Sequence, residues 1–158
     1  MPTVLMVCTG NLCRSPMAEG LLRARLARDE ARREWRVASA GVWTVDGRPA
    51  SEYAIQEMAE REIDLRDHRS RNVTAEMMDH ADLVLVMTRQ HGEALRHAFP
   101  QHAHQVHRLS EMVEQEYDIE DPYGGTRSEY AYTAGQLERL IEDGYQRMVT
   151  LVEDEMGR

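Results

Sequence analysis

The stretch that most restricts the fold is Val4-Leu5-Met6-Val7-Cys8-Thr9-Gly10-Asn11-Leu12-Cys13-Arg14-Ser15-Pro16. Val4 to Val7 is a short, uncharged, β-prone run, which predicts a buried strand that delivers Cys8 to its carboxyl end. Ser15 suits a helix N-cap and Pro16 the first helical position, so a helix is expected immediately after Arg14. The loop between holds Gly10 and Asn11, the two residue types that most readily take positive φ. Such a turn points successive backbone N–H groups at one spot. With a helix N-terminus behind it, the turn cradles a dianion without needing lysine.

That cradle changes the chemistry of its cysteine. Inward N–H groups, the helix dipole and the Arg14 guanidinium all favour thiolate over thiol. Arg14 lies across the loop from Cys8, where its planar fork can grip two phosphoryl oxygens and stabilise developing charge. Cys8, Arg14 and Ser15 therefore supply attack, grip and a nearby hydroxyl.

The rest of the chain supports a single domain over 1–158 built from alternating strands and helices. Met17, Leu21, Leu22 and Leu26 recur at helical spacing, predicting a helix from 16 to about 33, and Arg36–Ala40 reads as a second strand broken by Gly41. Strand, helix, strand implies a parallel pair with a right-handed crossover. Ser51 is placed to cap a helix to about Glu62, its inner face Tyr53, Ala54, Ile55, Met58 and Ala59. Thr74 opens a short helical turn, and Asp82–Thr88 is apolar enough for a central strand. A helix over 89–97, a weaker strand over 105–109 and a long helix over 130–156 complete the pattern. The last helix carries Leu137, Leu140, Ile141, Tyr145, Met148, Leu151 and Val152 on one face.

A net charge of −9 and a pI near 5.2 argue against nucleic acid or an anionic membrane as partner. No apolar run approaches the ~18 residues of a membrane span, and the start does not resemble a signal peptide. With only two cysteines, the expectation is a soluble cytoplasmic protein. Two cysteines cannot complete a structural zinc site. His97, His102, His104 and His107 crowd one segment but share no helix face, so no metal or other cofactor is expected.

Two further features bear on the cradle. Trp43, before the Asp46-Gly47 turn, reads either as a wall for an aryl ring or as a surface hydrophobe covering the sheet. Residues 117–127 are an acidic loop, because Pro122 and the pair Gly124-Gly125 suit neither helix nor central strand. Pro122 holds Asp121 extended, and a carboxylic acid over the cradle is suited to protonating a leaving oxygen.

The opening stretch closely resembles the signature of the low-molecular-weight protein tyrosine phosphatases, V-C-x-G-N-x-C-R-S-P. Val7, Cys8, Gly10, Asn11, Cys13, Arg14, Ser15 and Pro16 match every fixed position. The resemblance implies Cys8 as nucleophile, Arg14 as phosphate clamp and Asp121 as general acid. It assigns Thr9, Gly10, Asn11, Leu12, Cys13 and Ser15 to the phosphate loop, with Asn11 fixing its backbone and Ser15 donating to the thiolate. It also implies Ser39 and His68 as braces behind the loop, and Tyr123 with Trp43 and Leu12 as substrate walls. Gly124 departs from the pattern, since many members carry a second aromatic there.

The fold so implied is a three-layer α/β domain with a four-stranded parallel sheet in the order 2-1-3-4. Its site lies at the switch point after strand one. The implied activity is hydrolysis of phosphotyrosine on phosphorylated protein substrates, with inorganic phosphate as product, by a monomer that needs no metal.

Three alternatives stand beside this reading. An arsenate reductase of the same fold needs further cysteines, and none follows Cys13. A phosphoprotein-binding module would keep the cradle but lose a catalytic group. The nearest rival is the protein arginine phosphatase, which resembles this chain in Gly41-Val42 and in Asp121-Pro122-Tyr123-Gly124-Gly125. That group has a threonine where this chain has Leu12, which favours the aryl-phosphate reading. Cys13 adds one expectation: oxidation could join it to Cys8 and protect the nucleophile.

Overall fold

The computed structural model describes residues 1–158. Its strands are β1 (Thr3–Cys8), β2 (Arg36–Gly41), β3 (Leu83–Val86) and β4 (Val106–Arg108). Its helices are α1 (Arg14–Ala27), α2 (Glu52–Ala59), α3 (Ala75–His80), α4 (Arg89–Ala98) and α5 (Arg127–Met156). All strand pairs are parallel, in the order β2-β1-β3-β4. The strand order reverses beside β1, so the crevice beyond its carboxyl end is where an α/β sheet of this kind binds ligands.

Side chains alternate across the sheet as a period of two requires. Val4, Met6, Cys8, Leu83 and Leu85 join the larger core with α1, α2 and α5. Leu5, Val7, Val84 and Val86 pack with Met78 of α3 and Leu95 of α4 on the other face. Both faces are covered, which explains why β1 and β3 read as unbroken apolar runs.

Several local expectations are corrected. Ser15 does not cap α1: Cys13 takes the N-cap position and Arg14 opens the helix, which frees the Ser15 hydroxyl for the loop. Gly10 is not at positive φ; Asn11 alone bends the loop that way, at φ 57°. α1 ends at Ala27 rather than near 33, because Asp29 caps a separate turn over Glu30–Arg32 by accepting from Ala31 N. Asp29 is held in that position by Arg32 and by Tyr145 of α5, a contact no local pattern reveals. In α2, Ala54 and Met58 are buried as expected, whereas Tyr53 and Ala59 are exposed and Glu57 is buried. α5 begins three residues early, where Thr126 and Glu129 form a reciprocal capping box.

Candidate active site

The loop after β1 is held by its carbonyls. Cys8 O accepts from Val42 N at 2.9 Å, Thr9 O from Trp43 N at 3.1 Å, and Leu12 O from Ser51 N at 3.0 Å. Asn11 O accepts from His68 Nε2 at 2.7 Å. In a planar trans peptide the next residue's N–H points opposite to the carbonyl. Fixing these carbonyls outward therefore turns the N–H groups of Thr9, Gly10, Leu12 and Cys13 toward the concave side, at the N-terminus of α1. That is the geometry of an anion nest.

Asn11 sets the bend. It is fully buried, and its amide is completely used. Nδ2 donates to Ser15 Oγ at 2.8 Å and to Ser39 Oγ at 3.0 Å, while Oδ1 accepts from Arg71 N at 3.1 Å. A side chain so engaged stabilises the left-handed backbone that asparagine tolerates better than most residues. Because Ser15 Oγ accepts from Asn11, its one proton is left for Cys8 Sγ at 3.0 Å or for Ala40 O at 3.4 Å. The sulfur is the nearer partner. Ser39 passes its own proton to Glu19 Oε1 at 2.5 Å.

Arg14 is buried to 3% exposure at the first position of α1. Its Nη1 donates to Ile119 O at 2.8 Å, and Nη2 lies 3.4 Å from both Thr9 Oγ1 and Asp121 Oδ2. Its Nε is buried with no partner in the protein. A buried guanidinium N–H without an acceptor is costly, and a tetrahedral oxyanion in the nest supplies the matching acceptor. Asp121 sits on the irregular loop before α5, its carboxylate half exposed, with Oδ1 accepting from Tyr123 N at 3.1 Å.

Cys8 and Asp121 line a cavity of about 260 Å³, and Arg14 lies behind its surface, outside the lining. Cys8, Gly10 and Cys13 are at its base, and Leu12, Trp43, Val45 and Tyr123 form its walls, with Arg48 and Asp121 at the rim. Trp43 and Tyr123 are 75% and 55% exposed, so both present open aromatic surface at the mouth. Asn11, Ser15, Ser39 and His68 lie behind the loop and do not face the cavity.

Sequence reasoning missed the outer supports. His91 of α4 is buried and meets Thr9 Oγ1 through Nε2 at 2.8 Å. Its Nδ1 accepts from Thr88 N, so Nε2 carries the proton. Burial first, then the Arg14 charge, push its pKa down to about 4, which keeps the ring neutral. Ser51 Oγ and Tyr130 OH flank Cys13 Sγ at 3.1 and 3.3 Å, and burial raises the Cys13 pKa. Glu19, Arg71, His91 and Tyr130 were missed because the contact by which each supports the loop, with Ser39, Asn11, Thr9 and Cys13 respectively, is distant in sequence. Histidines 102 and 104 pair instead with Asp79 and Glu155.

Inward N–H groups, a helix N-terminus and a buried arginine beside a cysteine suit this switch point to a tetrahedral dianion, and the class of protein to which such a site points is the phosphatases. The family follows from comparison. Residues 3–155 match the model of the family described as low molecular weight phosphotyrosine protein phosphatase, and the chain belongs to that family. It is 34% identical to a probable low molecular weight protein-tyrosine-phosphatase, EpsP, of Ralstonia solanacearum, over 94% of this chain and 97% of that protein. It is 38% identical to a protein-arginine-phosphatase of Bacillus subtilis, over 87% of this chain and 91% of that protein. The crystal structure of a low molecular weight protein tyrosine phosphatase from T. tengcongensis superposes with a TM-score of 0.87 at 39% identity, covering 93% of this chain and 99% of that one.

Proposed function

We propose that this protein hydrolyses phosphotyrosine on protein substrates through a cysteinyl-phosphate intermediate. The observation that carries the reading is Cys8 Sγ at the base of the nest, 3.0 Å from the Ser15 hydroxyl, with Arg14 and Asp121 converging above it. The Cys8 thiolate attacks phosphorus in line, forming the S–P bond as the P–O bond to the leaving group breaks. Asp121 gives its proton to the departing oxygen. The loop N–H groups and the Arg14 guanidinium hold the equatorial oxygens through the transition state. Asp121 then takes a proton from the water that displaces sulfur, releasing inorganic phosphate and restoring the thiolate. Each step uses only groups of the chain and water.

Leu12 supports the choice of an aryl phosphate. It lines the cavity beside Trp43 and Tyr123, which together give an apolar slot suited to a ring. Phosphate release from matched phosphotyrosine and phosphoarginine peptides, with Cys8→Ala as control, tests the assignment. Preference for the phosphotyrosine peptide is expected. Preference for phosphoarginine overturns the substrate reading while leaving the phosphatase, and no release dependent on Cys8 overturns both.

Residues 1–158 are read here as one catalytic domain, since both apolar clusters are built on one sheet. A monomer acting in the cytoplasm completes the proposal; no helix is long and apolar enough to cross a membrane.

A further inference from the structure

A second and larger cavity, about 930 Å³, lies along the outer edge strand β2 and shares no residue with the catalytic pocket. Arg23, Arg33, Arg36 and Arg71 line it, against the single carboxylate of Glu76. Arg23 and Arg33 pair with Glu19 and Glu30 outside the lining, whereas Arg36 and Arg71 have no carboxylate partner, so the hollow carries positive potential where a chain of net charge −9 is on average negative. Arg33 reaches only Glu30, at 3.7 Å, and Arg36 is exposed without a carboxylate partner. Planar guanidinium forks in this number match linked phosphate groups.

The remaining two arginines connect this cavity to the phosphate loop. Arg71 Nε donates to Ser39 O at 3.2 Å while its backbone N donates to Asn11 Oδ1 at 3.1 Å. Arg23 pairs with Glu19 at 2.5 Å, and the other oxygen of Glu19 accepts from Ser39 Oγ. Ser39 is thus held from two sides by arginines of the cavity, and Ser39 in turn accepts from the Nδ2 of Asn11. An anion that draws the Arg23 side chain off Glu19 and the Arg71 Nε off Ser39 O would act on Ser39, the acceptor of Asn11 Nδ2, while the main-chain bond from Arg71 N to Asn11 Oδ1 stays in place.

We propose that this cavity is a regulatory site for a small oligophosphate, and that its occupancy slows catalysis by loosening Ser39 and Asn11 behind the phosphate loop. The effect on rate rests on the phosphatase reading; binding at the cavity does not. The coupling is a change in loop geometry rather than competition for the pocket, so it lowers kcat, which saturating substrate does not restore.

The test uses inorganic tripolyphosphate as probe. Binding is followed by calorimetry with orthovanadate occupying the catalytic pocket, and kinetics are measured across a range of aryl-phosphate concentrations. The same is done with the variant carrying Arg33→Gln and Arg36→Gln, neither of which touches the catalytic machinery. Wild-type protein is expected to bind under vanadate and to lose kcat by about fivefold or more. The double variant is expected to keep the basal rate and lose both responses. Absence of binding, or equal binding by the double variant, overturns the site. A rise in KM at constant kcat means that the probe enters only the catalytic pocket, and binding with kcat unchanged removes the coupling. Protein that binds but hydrolyses nothing even without the probe refutes the phosphatase reading instead.

Discussion

Replacing Gly41 by alanine is expected to damage the phosphate loop without touching any side chain of the cavity. Gly41 ends β2 opposite Cys8 in the register. A Cβ there would lie 2.4 Å from Thr9 O and 3.2 Å from both Asn11 N and Gly10 C. To recover even 3.0 Å, the Thr9 carbonyl must retreat by at least 0.6 Å. Neither side yields easily. Gly41 is fixed by Gly41 N to Arg71 O at 2.8 Å and Val73 N to Gly41 O at 2.9 Å, and Thr9 O by Trp43 N at 3.1 Å. Overpacking of this kind costs about 1–3 kcal/mol. The loop also carries the transition-state donors, and a misplacement near 1 Å costs ~10²-fold in rate. Gly41→Ala should therefore lower kcat on an aryl phosphate by about ten- to a hundredfold and shift the urea midpoint downward. A folded variant with kcat within about twofold of wild type would refute the claim that loop geometry is set by contact with β2.

The other predictions separate the loop from the scaffold. Gly144→Ala places a Cβ 2.5 Å from that of Met112, where α5 crosses the Leu109–Val113 turn; denaturant melts should show a loss of about 1–3 kcal/mol with kcat unchanged. His91 is held neutral, with its pKa lowered from 6.5 to about 4. The unfolded chain takes that proton below 6.5 and the native state does not, so this group's stabilisation is complete above 6.5 and is lost as pH falls toward 4. The slope from this one site is at most about 1.4 kcal/mol per pH unit, and melts of His91→Gln over that window should show a shallower decline. Oxidation by peroxide should produce a Cys8 sulfenic acid that the Cys13 sulfur attacks, expelling water and forming a disulfide. In Cys13→Ser the sulfenic acid stays open to a second peroxide, which takes it to the sulfinic acid, so after excess peroxide activity should return on thiol reduction in wild type and fail to return in the variant, and equal recovery in both would remove the protective disulfide.

The parts of this molecule that were readable in the sequence are those governed by neighbours along the chain. The apolar run ending in Cys8, the presence of a helix directly after the loop and the Pro122-stiffened acidic loop each announce themselves within a few residues. Strand order came through resemblance, since four apolar runs alone do not state their neighbours. What stayed hidden depends on partners far away in sequence. Ser15 has the composition of a cap, yet its hydroxyl is claimed by Asn11 and Cys8, and local propensity cannot rank those competitors. Gly10 and Asn11 both suited the bend, and only Asn11 takes it, because its side chain has the partners that stabilise positive φ. Glu19 and Arg71 stand in no local pattern that marks them, yet they tie Ser39 and Asn11 to the body of the fold.

The most direct test of the catalytic account is to trap the intermediate. Asp121→Asn lacks both the acid for the leaving oxygen and the group that activates water, so a labelled nitrophenyl phosphate, whose leaving group departs without a proton, is the substrate to use: rapid mixing followed by quench and peptide mapping should find phosphorus bonded to Cys8. Cys8→Ala should acquire no label. Label on any other residue, or turnover with Cys8 never modified, would contradict the assignment of Cys8 as nucleophile and of Asp121 as its proton partner.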